Sequence, residues 1–142
     1  MTAIGLTAAL TFEAVSAERA HRAAVRRAIR DDASVVADVV QAVDEAATNV
    51  VQHGYRDGPG IIEVTVDVTA GAVVVRIRDR APRFDPTGVP SPDLERPLAA
   101  RPLGGMGIYL MRTTMDEMRY ASPGDWTNEL VLVKRFTGVG EG

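Results

Sequence analysis

At 142 residues, 46% of them apolar and with a formal net charge of −3, the chain has the size and composition of one soluble domain with a real core. The weak negative charge excludes nucleic acid as the main partner, because phosphate binding leans on clustered Lys and Arg. The absence of cysteine excludes a disulfide framework or thiolate metal site, and no apolar run approaches the ~18 residues that span a membrane.

Met1 to Leu10 lacks the basic start of a signal peptide, which points to a cytoplasmic protein with no membrane partner. Leu6 to Glu13 alternates mildly and is a candidate first strand. Ser16 offers an N-cap, with Arg19 where a capping box would place Glu or Gln. From Ala17 to Arg30, Ala20, Ala24, Val25, Ala28 and Ile29 recur at helical spacing between arginines, which predicts an amphipathic helix. After Asp31 and Asp32, a stripe of Val36, Val39, Val40, Val43, Ala47, Val50 and Val51 predicts a second helix. Gly54 is the expected left-handed stop.

Ile61 to Val68 alternates cleanly, Ala70-Gly71 is a turn, and Ala72 to Ile77 is dense in valine. This predicts a β-hairpin ending at Asp79. Six of the eight prolines fall between Pro82 and Pro102, a density that neither a helix nor a central strand tolerates. A loop of that length in a compact domain is usually functional or disordered. A glycine-rich turn, Gly104-Gly105-Met106-Gly107, precedes a predicted helix from Ile108 to Met118. Short strands follow at Met118 to Ala121 and Glu129 to Phe136, with a turn between them. The layout predicts an α+β sandwich occupying residues 1–142 as a single domain.

Three places carry chemistry. Glu45 and Asn49 are four apart on a predicted helix and share a face. An interior Asn is disfavoured there, because its amide competes for backbone hydrogen bonds. One reading is a solvated helix face. Another is a Mg²⁺ site, since Mg²⁺ binds few protein oxygens and completes its shell with waters and phosphates. A third, with His53 as a further ligand, fits poorly, because Asn is a weak ligand for softer metals. A His in the last turn also suits the helix dipole. Asp79, an acceptor-only carboxylate at a strand end, can hold an exocyclic amine or simply begin a turn. The Gly104–Gly107 turn lets backbone approach a phosphate at a helix N-terminus. It is no Walker A motif, since no Gly-Lys-Ser/Thr follows. It is a poor dinucleotide fingerprint, with Leu110 at the third glycine position.

The order of these blocks resembles a known family. Asp44-Glu45-Ala46-Ala47-Thr48-Asn49-Val50-Val51-Gln52-His53-Gly54-Tyr55 looks like the N-box of the GHKL, or Bergerat-fold, ATPases. Asp79-Arg80-Ala81-Pro82-Arg83-Phe84-Asp85-Pro86 resembles their G1 box. Gly104 to Met111, followed by Met115-Asp116-Glu117, resembles their G2 box. The His-Gly-Tyr ending is similar to the anti-sigma-factor serine kinases of the RsbW/SpoIIAB type.

The resemblance implies a two-layer α/β sandwich with a mixed, mostly antiparallel sheet and helices on one face. It implies ATP and Mg²⁺ as cofactors, Glu45 as general base on a protein hydroxyl, and Asn49 as the Mg²⁺ ligand. Asp79 would hold the adenine amine, with Ala81 and Phe84 nearby in the G1 box. Gly104, Gly105, Met106 and Gly107 would approach the phosphates, under an ATP lid spanning about residues 80–105. Arg96 and Arg101 are the lid's candidate phosphate contacts. The implied partners are an anti-sigma-factor antagonist of the STAS type and a sigma factor, and homodimers occur in the family.

Two departures stand out. Ala81 occupies a position where the family usually has Gly, which predicts weaker nucleotide binding. Thr127-Asn128 stands where Gly-Thr is common, with Asn128 a candidate adenine-side contact. Two other functions compete. One is a binding module that captures a partner without phosphoryl transfer, motivated by Ala81. The other is a sensor histidine kinase domain, which would need an upstream phosphoacceptor; only His21 lies upstream, on an arginine-rich helix.

Overall fold

The computed structural model describes residues 4–11, 33–56, 58–68, 71–90 and 105–136. The predicted Ala17–Arg30 helix with His21, most of the proline-rich loop with Arg96 and Arg101, Gly104, and the C-terminal tail lie outside those residues.

Five strands form one sheet: β1 (Ile4–Thr11), β2 (Ile61–Val68), β3 (Ala72–Asp79), β4 (Glu117–Ala121) and β5 (Asn128–Arg135). Their spatial order is β1-β2-β3-β5-β4. Every pairing among them is antiparallel, so the described sheet is not mixed. Helix α1 (Ala33–Asn49) and helix α2 (Gly105–Thr114) pack against each other over the sheet.

The core follows from two periodicities. Along α1, Val35, Val39, Ala42, Val43 and Ala46 recur at three- and four-residue spacing and are buried. Along the strands the period is two. Ile62, Val64 and Val66 of β2, Val73, Val75 and Ile77 of β3, and Leu130 and Leu132 of β5 face the helices. Ile108, Met111 and Met115 complete the cluster from α2 and its C-terminal turn. Valine is a modest helix former, so α1 owes its stability to this burial rather than to propensity.

The opposite sheet face carries charge. Arg78 bonds Glu129 on β5 at 2.7 Å and Glu63 on β2 at 3.4 Å, its partners in the cross-strand register. Arg76 pairs with Asp67 at 3.2 Å. On the helical side, Lys134 ties three elements together. Its ammonium donates to the Thr114 carbonyl at the end of α2 (2.7 Å) and pairs with Asp38 of α1 (3.0 Å), a favourable place for a cation.

Several boundaries differ from the sequence expectations. α2 starts at Gly105 and ends at Thr114, three residues earlier at its start and four at its end. The helix that begins at Ala33 does not stop at a left-handed Gly54. It widens into a π-helical turn over Val50–Gly54, closed by the Tyr55 N–H on the Val50 carbonyl at 2.8 Å. The positive φ falls two residues later, at Arg56 (52°).

The two faces of the sheet should respond differently to substitution. Leu132→Ala, at a fully buried position, should cost about 2–5 kcal/mol, whereas Arg76→Ala, at a half-exposed ion pair of the charged face, should cost under about 1 kcal/mol. Urea unfolding of the two variants checks this; equal losses would contradict the one-sided core.

Candidate functional site

Three core-facing rows turn polar at the same end of the sandwich. In α1 the row of Val39, Val43 and Ala46 runs on to Asn49, Val50, His53 and Gly54, still at helical spacing. In β3 the row of Val73, Val75 and Ile77 ends on Asp79, and in β5 the row of Leu132 and Leu130 ends on Asn128. Asp79 and Asn128 are also direct partners in the register. Around these ends lies a cavity of about 230 Å³, also lined by Ala81, Pro82, Arg83, Phe84, Pro86, Met111 and Tyr120.

Asp79 is 3% exposed and Asn128 6%, and a buried polar group is costly unless hydrogen-bonded. The network meets that need. Asp79 Oδ1 accepts the Ala81 N–H (2.9 Å) and the Asn128 amide (2.8 Å). The same amide reaches the carbonyls of Ala81 and Pro82, each at 3.2 Å. Asn128 Oδ1 accepts the Phe84 N–H (3.0 Å) and the Tyr120 hydroxyl (2.6 Å). Burial pushes the Asp79 carboxyl above the usual carboxylate range, and the bonds from Asn128 and Ala81 pull it part of the way back.

Tyr55 braces this loop from below. Its hydroxyl accepts the Arg80 N–H (2.8 Å) and donates to the Ile61 carbonyl (2.9 Å), joining the helix end to two strands. Arg80 stacks over Trp126 with 4.3 Å to the ring centroid, a cation–π contact at the rim. Arg112 of α2 donates to the Val89 carbonyl at 2.7 Å, with those of Pro86 and Thr87 at 3.3 and 3.4 Å. The loop leaving β3 is thus strapped to α2. Its first turn, Pro86–Gly88, is 3₁₀ and capped by the Asp85 side chain.

Glu45 and Asn49 meet different walls. Asn49 lines the cavity, and its amide nitrogen is buried without a hydrogen-bond partner, a position that asks for a ligand oxygen. Glu45 instead lies against the first turn of α2: a methyl at Gly107 would run into its carboxylate. Glycine lets the carboxylate approach this closely without turning aside, and the helix N-terminus favours the negative charge. Among the described residues no three His, Asp or Glu side chains converge. A hard cation here would take one or two protein oxygens and the rest from ligand and water, as Mg²⁺ does. The Asn49 amide, with Glu45 one turn away, fits that donor set.

Ala81 is 2% exposed, and a methyl at Gly54 would lie 2.7 Å from the Ala81 methyl carbon. The Ala81 side chain therefore occupies the space that Gly54 leaves empty. Phe84 is 48% exposed at the mouth of the cavity. Gly105 and Met106 open α2, while Arg101 and Gly104 lie outside the described residues. Sequence reasoning passed over Tyr120, Arg112 and the bracing hydroxyl of Tyr55. For Tyr120 the one available signal was a tyrosine beside an apolar strand, whose hydroxyl would need a partner if buried.

A family model described as the histidine kinase-like ATPase domain matches residues 7–134. The chain is 38% identical over 90 residues to the serine/threonine-protein kinase BtrW of Bordetella bronchiseptica, a match covering 63% of each chain. It is 30% identical over 88 residues to the serine-protein kinase RsbW of Bacillus cereus, covering 59% of this chain and 55% of the relative. The RsbW of Bacillus anthracis matches to the same extent. The chain thus spans less than two thirds of the length of these curated relatives.

Two experiments probe the site without any ligand. Gly54→Ala should destabilise the protein by about 1–3 kcal/mol through overpacking against Ala81. Ala81→Gly in the same molecule should restore most of that loss, which a double-mutant cycle by chemical unfolding reads directly. Additive losses would contradict the contact.

The second experiment uses Asp79→Asn, which keeps the Oδ1 acceptor and removes the charge. The folded carboxyl holds its proton to higher pH than the unfolded one. The native state therefore binds more protons across the interval between the two pKa values, and wild-type stability falls as pH rises through it. The variant should gain on wild type across that window and hold its gain above it. A variant less stable than wild type at pH 8 would refute the burial cost.

Proposed function

The chain belongs to the histidine kinase-like ATPase domain family, and on that premise we propose that it is an ATP- and Mg²⁺-dependent protein serine/threonine kinase and anti-sigma factor. Its substrate in this reading is an anti-sigma-factor antagonist of the STAS type, and the partner it sequesters is a sigma factor in the cytoplasm. The observation that carries the reading is the convergence of the polar row ends with the α2 turn. Asn49 leaves a buried amide nitrogen without a partner on the cavity, Asp79 presents a carboxylate to it, and Glu45 sits against the glycine-bearing turn. The kinase names of the relatives support the same direction.

Each residue has a role in this scheme. Asp79 accepts the amine of the base. The cavity, about 230 Å³, lies below the ~300 Å³ typical of pockets that take a whole drug-sized ligand, so it holds the base end. Asn49 offers its amide oxygen to Mg²⁺ and its nitrogen to a phosphate oxygen. The first turn of α2 turns backbone N–H groups toward the anion. Glu45, one helical turn from Asn49, takes the proton of the incoming serine or threonine hydroxyl. Bound Mg²⁺-ATP supplies the transferred phosphoryl group, and catalysis of this kind is mostly positioning and charge stabilisation. The loop over about residues 80–105 is the proposed lid, with Arg101 its candidate phosphate contact.

The test is phosphate transfer from ATP to a STAS-type antagonist in the presence of Mg²⁺. Glu45→Gln should lower the rate by roughly 10²–10⁴-fold while ATP binding stays near wild type. Asn49→Ala should abolish Mg²⁺-dependent ATP binding. Transfer that is equal in wild type and Glu45→Gln would end the general-base assignment. Tight capture of a partner with no transfer by wild type would favour a non-catalytic binding module instead.

A further inference from the structure

We propose that Tyr120 and Asn128 are positioning residues which hold Asp79 as an acceptor and thereby select a purine carrying a 6-amino group over one carrying a 6-oxo group. The inference rests on the nucleotide-binding reading above and assigns its base selectivity.

Asn128 cannot itself read the base, because its own valences are spent. Its amide hydrogens go to Asp79 Oδ1 and to the carbonyls of Ala81 and Pro82. Its oxygen takes the Phe84 N–H and the Tyr120 hydroxyl. An amide offers two donors and one oxygen with two lone pairs, and these contacts use them all. The orientation is also fixed. A backbone N–H only donates, so the Asn128 atom facing Phe84 must be the oxygen. The nitrogen is thereby aimed at Asp79. The Tyr120 hydroxyl, 2.6 Å from the same oxygen, donates to it in that orientation and holds the side chain in place.

The consequence passes to Asp79. Both of its hydrogen bonds arrive at Oδ1, and the residue lines the cavity, so Oδ2 is the atom offered to a ligand. Two donors on Oδ1 stabilise the ionised carboxylate, which can only accept. Adenine presents an amine donor on its six-membered ring, whereas a 6-oxo purine presents an acceptor at the same place. Acceptor facing acceptor is the repulsive element that selectivity needs. Through this relay of three hydrogen bonds, from Tyr120 to Asn128 to Asp79 to the base, Tyr120 decides how firmly the base is read.

The experiment compares the dissociation constants of ATP and inosine triphosphate, which differ at the 6-position and in the N1 hydrogen that the 6-oxo ring carries, for wild type, Tyr120→Phe and Asn128→Ala. Wild type should prefer ATP by at least about tenfold. Tyr120→Phe, which removes one hydrogen bond and little volume, should narrow that ratio by about two- to tenfold. Asn128→Ala should narrow it further. If both variants bind both nucleotides more weakly with the ratio unchanged, the two residues are merely structural and the proposal falls. If wild type binds ATP but does not discriminate, the proposal falls while the nucleotide-site reading stands. If wild type binds neither nucleotide, that reading itself fails and takes this one with it. Should Asn128→Ala not fold, the ratio for Tyr120→Phe decides.

Discussion

A carboxylate buried at the end of a core strand is the constraint around which the rest of this site is arranged. Asp79 continues the row of Val73, Val75 and Ile77, so the pleat itself carries it into the interior. Leaving such a group unsatisfied would be expensive. Its neighbours answer in order: the Ala81 backbone turns back on it, and Asn128 stands opposite in register. Tyr120 and the Phe84 backbone then hold Asn128. The loop after β3 acquires its course from these bonds. That course places Ala81, Pro82 and Phe84 around one cavity.

Much of this was legible in the sequence, and the reasons differ by element. The hairpin of β2 and β3 was plain because alternation and a Gly turn agree. Two of the chemical blocks were recognisable because Asn49 and Asp79 each stand in an apolar frame, and the third because glycines precede a helix. Their convergence was not derivable from spacing, since it depends on how α1 crosses β3 and β5. The π-helical turn was also hidden. A single widened turn leaves the apolar stripe nearly in phase, so the residues 46, 49, 50 and 53 read as ordinary helix. The start of α2 lies earlier than the sequence suggests because Gly105 and Gly107 have poor helix propensity, yet the helix includes both and Glu45 packs against Gly107. For Tyr120 the sequence offers only a hydroxyl in need of a partner; which partner depends on how β4 lies along β5.

The two sides of the sheet divide the work. Charges on the outer face pair across strands at half-exposed positions, where each bond contributes modestly. The inner face carries the apolar mass and, at one end, the polar network. Arg78 and Asp79 are adjacent in sequence yet belong to these different environments, separated by the thickness of the sheet. Lys134 and Arg112 supply the remaining links, fixing α2 to β5, α1 and the loop. The helix that borders the proposed phosphate region is thereby anchored at its C-terminal end by Lys134 and at its side by Arg112.

The contact between Gly54 and Ala81 has a consequence for how this sequence can drift. One methyl fits between the helix end and the loop, and two do not. While position 54 is glycine, position 81 is at liberty to be glycine or alanine. Once Ala81 is in place, position 54 is locked. Exchanging the methyl from one side to the other must therefore pass through a molecule with glycine at both. The order of substitutions, and not only their sum, limits which sequences are reachable from this one.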